Sequence, residues 1–424
     1  MGRLLKRVYS PVFLVAFGTF WPFLIPQFDF LDARTRSLSR RVGIDPWLYV
    51  YTFICVSAFW FLYKLFLVDG ATASNDTLCE EPTHRATVRC RKAVVSAVTV
   101  LLVLGFGVIF YTVSHSYLDG LIQSAKTQQA NPGLRYSSGS FTASAKVPGM
   151  IRMFAFSIVG CVIFMYAIAL ASPPWSKGWR LYPVLLALSI VAMLLRSLIQ
   201  LDRNPPAVVA IMGPFVLVHR ARFTPKALFV SVVGVTMLVV VAAMAIKIAS
   251  SVRLSDTGQR NPILEYADLG IADASLAYRT TTHFSWGTAT LMGPILFVPR
   301  GIGVEFEFPT WDSEWIWNPA SNLLCTSIRE FGIFGFVIYA IYGCVVGCIM
   351  RKRKIKPCSL FWGLAHLWAL YILLLIWTQP VVASPDIWAA IILSLFAGGY
   401  VDRLSGGYRK TGPPILTAGT LSDG

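Results

Sequence analysis

The sequence predicts an all-α membrane protein: a polytopic transmembrane helical bundle of about ten helices, with a large extracytoplasmic loop carrying short or re-entrant helices. Three observations predict it. Of 424 residues, 55% are hydrophobic and only 14% charged, and the mean hydropathy is +0.62, too apolar for an ordinary water-facing surface. Apolar runs of roughly 17 to 25 residues recur, the length an α-helix needs to cross a ~30 Å hydrocarbon core. These runs lack the alternation of barrel strands, which leaves helices as the spanning structure.

In chain order, helices are expected at about 11–26, 47–67, 93–113, 151–171, 181–201, 205–218, 226–249, 327–349, 359–379 and 385–401. The first follows Arg3, Lys6 and Arg7 and imitates a secretory signal. Bulky Trp21, Pro22 and Phe23 replace a small-residue cleavage site, so it reads as an uncleaved signal anchor. Lys and Arg concentrate at alternate connections: Arg85, Arg89, Arg91 and Lys92; Lys177 and Arg180; Arg220, Arg222 and Lys226; and Arg351 to Lys356. The positive-inside rule puts these connections and both termini in the cytoplasm, with Arg34, Arg36, Arg40 and Arg41 the one exception. The chain then divides into seven N-terminal helices (1–249), a long periplasmic loop (250–326), three C-terminal helices (327–401) and a cytoplasmic tail (402–424).

A formal charge of +16 would suggest nucleic acid in a soluble protein. Here much of it is topological, so no nucleic-acid partner is expected, and the residual excess suits anionic membrane lipid or a diphosphate. Cys55, Cys161, Cys344 and Cys348 fall in apolar runs and read as small packing residues. Cys79, His84 and Cys90 share one connection but are too few for a zinc signature, and neither metal nor cofactor is expected. No Walker A sequence, dinucleotide fingerprint, H-E-x-x-H or G-x-S-x-G occurs, so nucleotide-driven and serine-hydrolase chemistry lack support.

The side chains capable of chemistry gather in and around the long loop. Arg196 lies inside an apolar run near the outer end of its helix, where a guanidinium costs several kcal/mol unless it snorkels or meets an anion; Arg203 follows at a shallower depth. Arg279 and Arg300 bracket an apolar piece, Phe284 to Val298, broken by Gly287, Gly293 and Pro294. If that piece dips into the membrane and returns, both guanidiniums emerge at one interface, where planar forks suit phosphate oxygens or lipid headgroups. His283, Glu305, Glu307, Asp312 and Glu314 are candidate general bases for activating a sugar hydroxyl, and the sequence does not choose among them. Phe306, Phe308, Trp311, Trp315 and Trp317 form an aromatic cluster suited to an interfacial belt or to stacking on sugars. Glu330, also a candidate base, is expected in the first turn of a helix, where the dipole favours a carboxylate. Gly343 and Gly347 make a GxxxG that permits close helix approach.

Three pieces in order carry a family resemblance: Asp202-Arg203-Asn204-Pro205-Pro206 followed by His219-Arg220-Ala221-Arg222; Gly287-Thr288 to Val298-Pro299-Arg300; and Arg329-Glu330-Phe331-Gly332-Ile333-Phe334-Gly335. From Leu201 to Gly347 the chain resembles the Wzy-type O-antigen polymerases, integral-membrane glycosyltransferases that polymerise oligosaccharide repeat units. The chain departs from that pattern after Arg300, where an acidic stretch stands in place of the common Lys-Pro, and at Glu330, which lies closer to Gly332 than the family's usual acid. The resemblance implies an inverting, metal-independent transfer on the periplasmic face of the bacterial inner membrane. Glycan would move from undecaprenyl diphosphate to the terminal sugar of another lipid-linked unit, in O-antigen (lipopolysaccharide) or exopolysaccharide biosynthesis, with a chain-length regulator as a candidate protein partner. It implies that Arg203 and Arg300 contact the diphosphate; Arg279 joins them from the geometry above. An O-antigen ligase acting on lipid A core uses the same donor and is the nearest alternative. A non-catalytic transporter of lipid-linked sugars is the other, and it predicts an internal repeat that the sequence lacks.

Overall fold

A computed structural model describes residues 7–27, 42–68, 83–112, 154–200, 204–219, 262–281, 322–376 and 385–405. Among these, all regular structure is helical: α1 (Pro11–Phe20), α2 (Pro46–Val68), α3 (His84–Thr112), α4 (Ser157–Ala171), α5 (Tyr182–Gln200), α6 (Asn204–His219), α7 (Pro262–Thr280), α8 (Leu323–Phe331), α9 (Phe336–Ile355), α10 (Leu360–Leu375) and α11 (Pro385–Leu404). Short 3-10 turns follow α1, precede α4, join α4 to α5 and join α8 to α9.

The all-helical class stands among the described residues. Among the described residues, four segments are long and apolar enough to cross a membrane: Pro46–Leu67, His84–Phe110, Leu323–Ile355 and Ile387–Leu404. Five shorter apolar helices accompany them, at Pro11–Leu24, Ser157–Ala171, Tyr182–Ser197, Val208–Leu217 and Leu360–Leu375. The helix expected at 226–249 lies outside the described residues. Large apolar side chains face outward on these helices, Phe53, Phe110 and Phe396 among them, as suits a hydrocarbon surround better than water.

Three elements differ from expectation. Helix α3 begins nine residues early, because the basic run from Arg85 to Lys92 carries five good helix formers, four Arg or Lys and Ala86, with no Gly or Pro, and extends the apolar helix. The expected helix from 327 is two helices: α8 ends at Gly332, whose φ of 56° closes it, and a 3-10 turn over Gly332–Gly335 redirects the chain into α9. The stretch 250–326, expected to hold only short or re-entrant pieces, includes the 19-residue α7.

The most extensive helix contact is between α2 and α9. A Cβ on Gly343 would collide with the Phe59 carbonyl, and one on Gly347 would lie 2.8 Å from the Tyr63 carbonyl. A Cβ on Gly335 would strike the Tyr51 hydroxyl and the Ser327 carbonyl. Tyr51, Phe59 and Tyr63 thus meet Gly335, Gly343 and Gly347 in constant register, so the two helices run parallel and the GxxxG works as a backbone-to-backbone seam.

The helix ends sort into two groups. At one end Arg91 of α3 donates to the carbonyls of Trp175 (3.0 Å) and Lys177 (2.8 Å), and Arg353 of α9 donates to Leu170 of α4 (2.9 Å). There Asp402 of α11 also accepts from Ser359 and from the first backbone N–H groups of α10. This is the basic end. At the opposite end the Leu323 amide donates to the Ile376 carbonyl (3.0 Å), and α7 packs on α8 and on the turn after α1.

Candidate functional site

The site is built on α7 and α8. Helix α8 starts where Asn322 accepts from the Cys325 amide (2.8 Å), a side-chain cap for an otherwise orphaned donor. It is buried along nearly its whole length, including Arg329 and the fully buried Glu330. Glu330 lies in the last turn of α8, not in the first turn of a longer helix. The break at Gly332 produces this change, and it removes the dipole explanation, since a carboxylate at a helix C-terminus is disfavoured. Burial of an ionisable group at such a position requires partners or function.

Helix α7 is buried all round its middle, at Asp268, Ile271, Ala272, Asp273, Ala274, Ser275 and Ala277. Burial raises the Asp273 carboxyl to about 7, although the positive charge of Arg329 pulls in the opposite direction. A carboxyl that titrates there holds or releases a proton near neutral pH, the property needed of a general base or acid.

The C-terminal part of α7 is clamped to the segment preceding α2. Arg279 donates to the carbonyls of Val42 (2.7 Å) and Gly43 (3.1 Å), and its Nε lies 3.9 Å from Asp45. Ser275 donates to Gly43 (2.8 Å) and accepts from the Asp45 amide (3.3 Å). Tyr278 packs 6.2 Å from Tyr51, which donates to the Gly332 carbonyl (3.1 Å). One connected set of contacts therefore fixes Asp273 against the α8 corner, with Arg279 serving it as an anchor.

Arg196 sits near the end of α5, only 4% exposed. Its guanidinium lies 4.7 Å from the centre of the Phe156 ring, which meets Tyr371 edge-on at 6.1 Å. The apolar helix end thus holds this cation partly through an aromatic face. Arg196, Arg279 and Glu330 all occupy the end opposite the basic clusters. Arg203, His283, Arg300 and Glu305 lie outside the described residues, as do Glu307, Asp312 and Glu314.

Asp268 and Asp273 were not singled out from the sequence. The available signal was the setting of the two acids in Ala267-Asp268-Leu269-Gly270-Ile271-Ala272-Asp273-Ala274, where small and apolar neighbours mark a buried helix carrying carboxyls. Compared with known proteins, the chain matches no family model, no curated protein and no solved structure.

Proposed function

We propose that the protein is a glycosyltransferase of the bacterial inner membrane that polymerises lipid-linked oligosaccharide repeat units. The basic end faces the cytoplasm in this reading, by the positive-inside rule, and the α7–α8 site faces the periplasm. The observation that carries the reading is the buried Asp273 carboxyl, raised to about 7 beside Arg329 at the end opposite the basic clusters. Transfer from a diphosphate needs a proton acceptor for the attacking hydroxyl and cations for the leaving group.

In the proposed step, a hydroxyl of the acceptor's terminal sugar attacks the anomeric carbon of the donor glycan. The new C–O bond forms as the bond to undecaprenyl diphosphate breaks, the hydroxyl proton passes to the base, and the diphosphate leaves with the electron pair. Inversion follows from a single displacement, and the leaving group already activates the donor, so no nucleotide enters. Asp273 joins Glu330, His283 and Glu305 as a candidate base. Arg203 and Arg300, by resemblance, and Arg196, by position, supply the charge for the diphosphate, while Arg279 anchors α7.

The test is incubation of the purified protein with one defined undecaprenyl-diphosphate repeat unit. A ladder of products spaced by one unit is expected. Transfer only to added lipid A core identifies a ligase instead, and movement of the lipid across proteoliposomes without new glycosidic bonds identifies a transporter.

A further inference from the structure

The link between α4 and α5 reads Ser172-Pro173-Pro174-Trp175-Ser176-Lys177-Gly178-Trp179-Arg180. Two successive prolines end the helix, Ser172 takes a left-handed conformation at φ 43°, and Gly178 does so at φ 67°. The loop is held from behind: Arg91 bonds the carbonyls of Trp175 and Lys177, and Trp175 is buried and meets Trp179 edge-on at 6.2 Å. A cavity of about 430 Å³ opens in front of it, lined in part by Ser172, Ser176, Trp179, Arg180 and Tyr182. That volume suits a small polar group, within the range of about 300–1,000 Å³ common for ligand sites.

The hydrogen-bonding state of this lining selects the ligand. Ser172 donates to the Ala169 carbonyl (2.7 Å), Ser176 to Pro173 (2.7 Å) and Tyr182 to Met165 (3.0 Å). A hydroxyl has one hydrogen, so what the two serines have left is lone pairs. Arg180 is exposed and makes no hydrogen bond or ion pair among the described residues. The indole face of Trp179 attracts cations. A bare anion would engage Arg180 alone, whereas a zwitterion engages Arg180, the serine oxygens and Trp179 together. Beside the cavity, Leu181, Val184, Leu188, Val191 and Leu195 form an exposed apolar stripe down one face of α5, a track for acyl chains.

We infer that this cavity binds the headgroup of a phospholipid carrying a primary ammonium, of the phosphoethanolamine class. Arg180 takes the phosphate, and the Ser172 and Ser176 oxygens with Trp179 take the ammonium. A choline headgroup has no N–H to offer those oxygens and binds less well.

The full chain in detergent, delipidated and titrated with short-chain phosphatidylethanolamine or phosphatidylcholine, would be followed by native mass spectrometry of bound lipid. The wild type is expected to prefer phosphatidylethanolamine by about tenfold, the scale of a hydrogen bond or two. Arg180→Ala should weaken both lipids by a similar factor. Ser172→Gly, which keeps the left-handed turn, combined with Ser176→Ala, should erase the preference. Equal binding of the two lipids by the wild type overturns the inference whether or not the variants fold. So does an unchanged preference in the serine variant. Binding of free glycerophosphoethanolamine as tightly as the lipid overturns the assignment to a lipid in favour of a soluble metabolite.

Discussion

At the scale of a single residue, the proposed chemistry turns on Asp273. Its carboxyl keeps a proton up to about pH 7 in the folded protein, while an unfolded aspartate loses it near 3.9. Between those values the folded state holds a proton that the unfolded state has released, so stability falls as pH rises through this window and levels off above it. The direction is opposite to that of a salt-bridged carboxylate. Asp273→Asn should abolish this slope: melting of detergent-purified wild type should drop between about pH 5 and pH 8, and the variant should melt at nearly the same temperature at both. Asp273 was not legible as a site residue because the helix bearing it falls inside a stretch too polar to read as a span. Arg279, by contrast, was conspicuous in the sequence. The Val42 and Gly43 carbonyls and Asp45 account for it as an anchor, through contacts more than 230 positions away in the chain that no local pattern encodes.

At the scale of elements, the α2–α9 seam and the α10–α11 cap are the points where a single atom decides packing. Gly343 faces backbone, which cannot move aside, so Gly343→Ala should cost about 1–3 kcal/mol of stability. Gly347→Ala, at a looser approach, should cost less, and thermal unfolding in detergent ranks the two. Asp402 accepts from Ser359 (2.6 Å), Leu360 (2.9 Å) and Phe361 (3.1 Å) at the start of α10. Asp402→Ala should therefore lose about 1–2 kcal/mol by the same measurement, as for removal of an N-cap. The GxxxG was readable beforehand because close approach needs small residues at fixed spacing whatever the partner. The break between α8 and α9 was not, since Gly332 and Gly335 stand at the start of an apolar run, Phe331 to Val346, that reads as one helix.

Over the whole molecule, basic residues from Arg91 to Arg353 collect at one end of the bundle, and the buried acids of α7 and α8 collect at the other. The clustering of basic connections could be anticipated, because charge in short loops follows orientation rather than packing. The assembly of α7, α8 and the 42–45 segment depends on contacts between distant parts of the chain and emerges only from the fold. Single cysteines at Thr280 and Lys356, both exposed, in a cysteine-free background should divide cleanly. An impermeant maleimide added to cells with a permeabilised outer membrane should label Thr280→Cys and spare Lys356→Cys, and the reverse pattern would invert the proposed orientation. The central claim joins the two scales, since it requires the acid end to perform glycosyl transfer through Asp273. Its most direct measurement is the pH dependence of kcat/KM for ladder formation from a defined undecaprenyl-diphosphate repeat unit, in the wild type and in Asp273→Asn. The account predicts a wild-type rate that rises through about pH 7 and a variant slowed by at least about a hundredfold, the scale of a lost general base; an Asp273→Asn enzyme that builds the ladder at the wild-type rate, with the same pH profile, would contradict it.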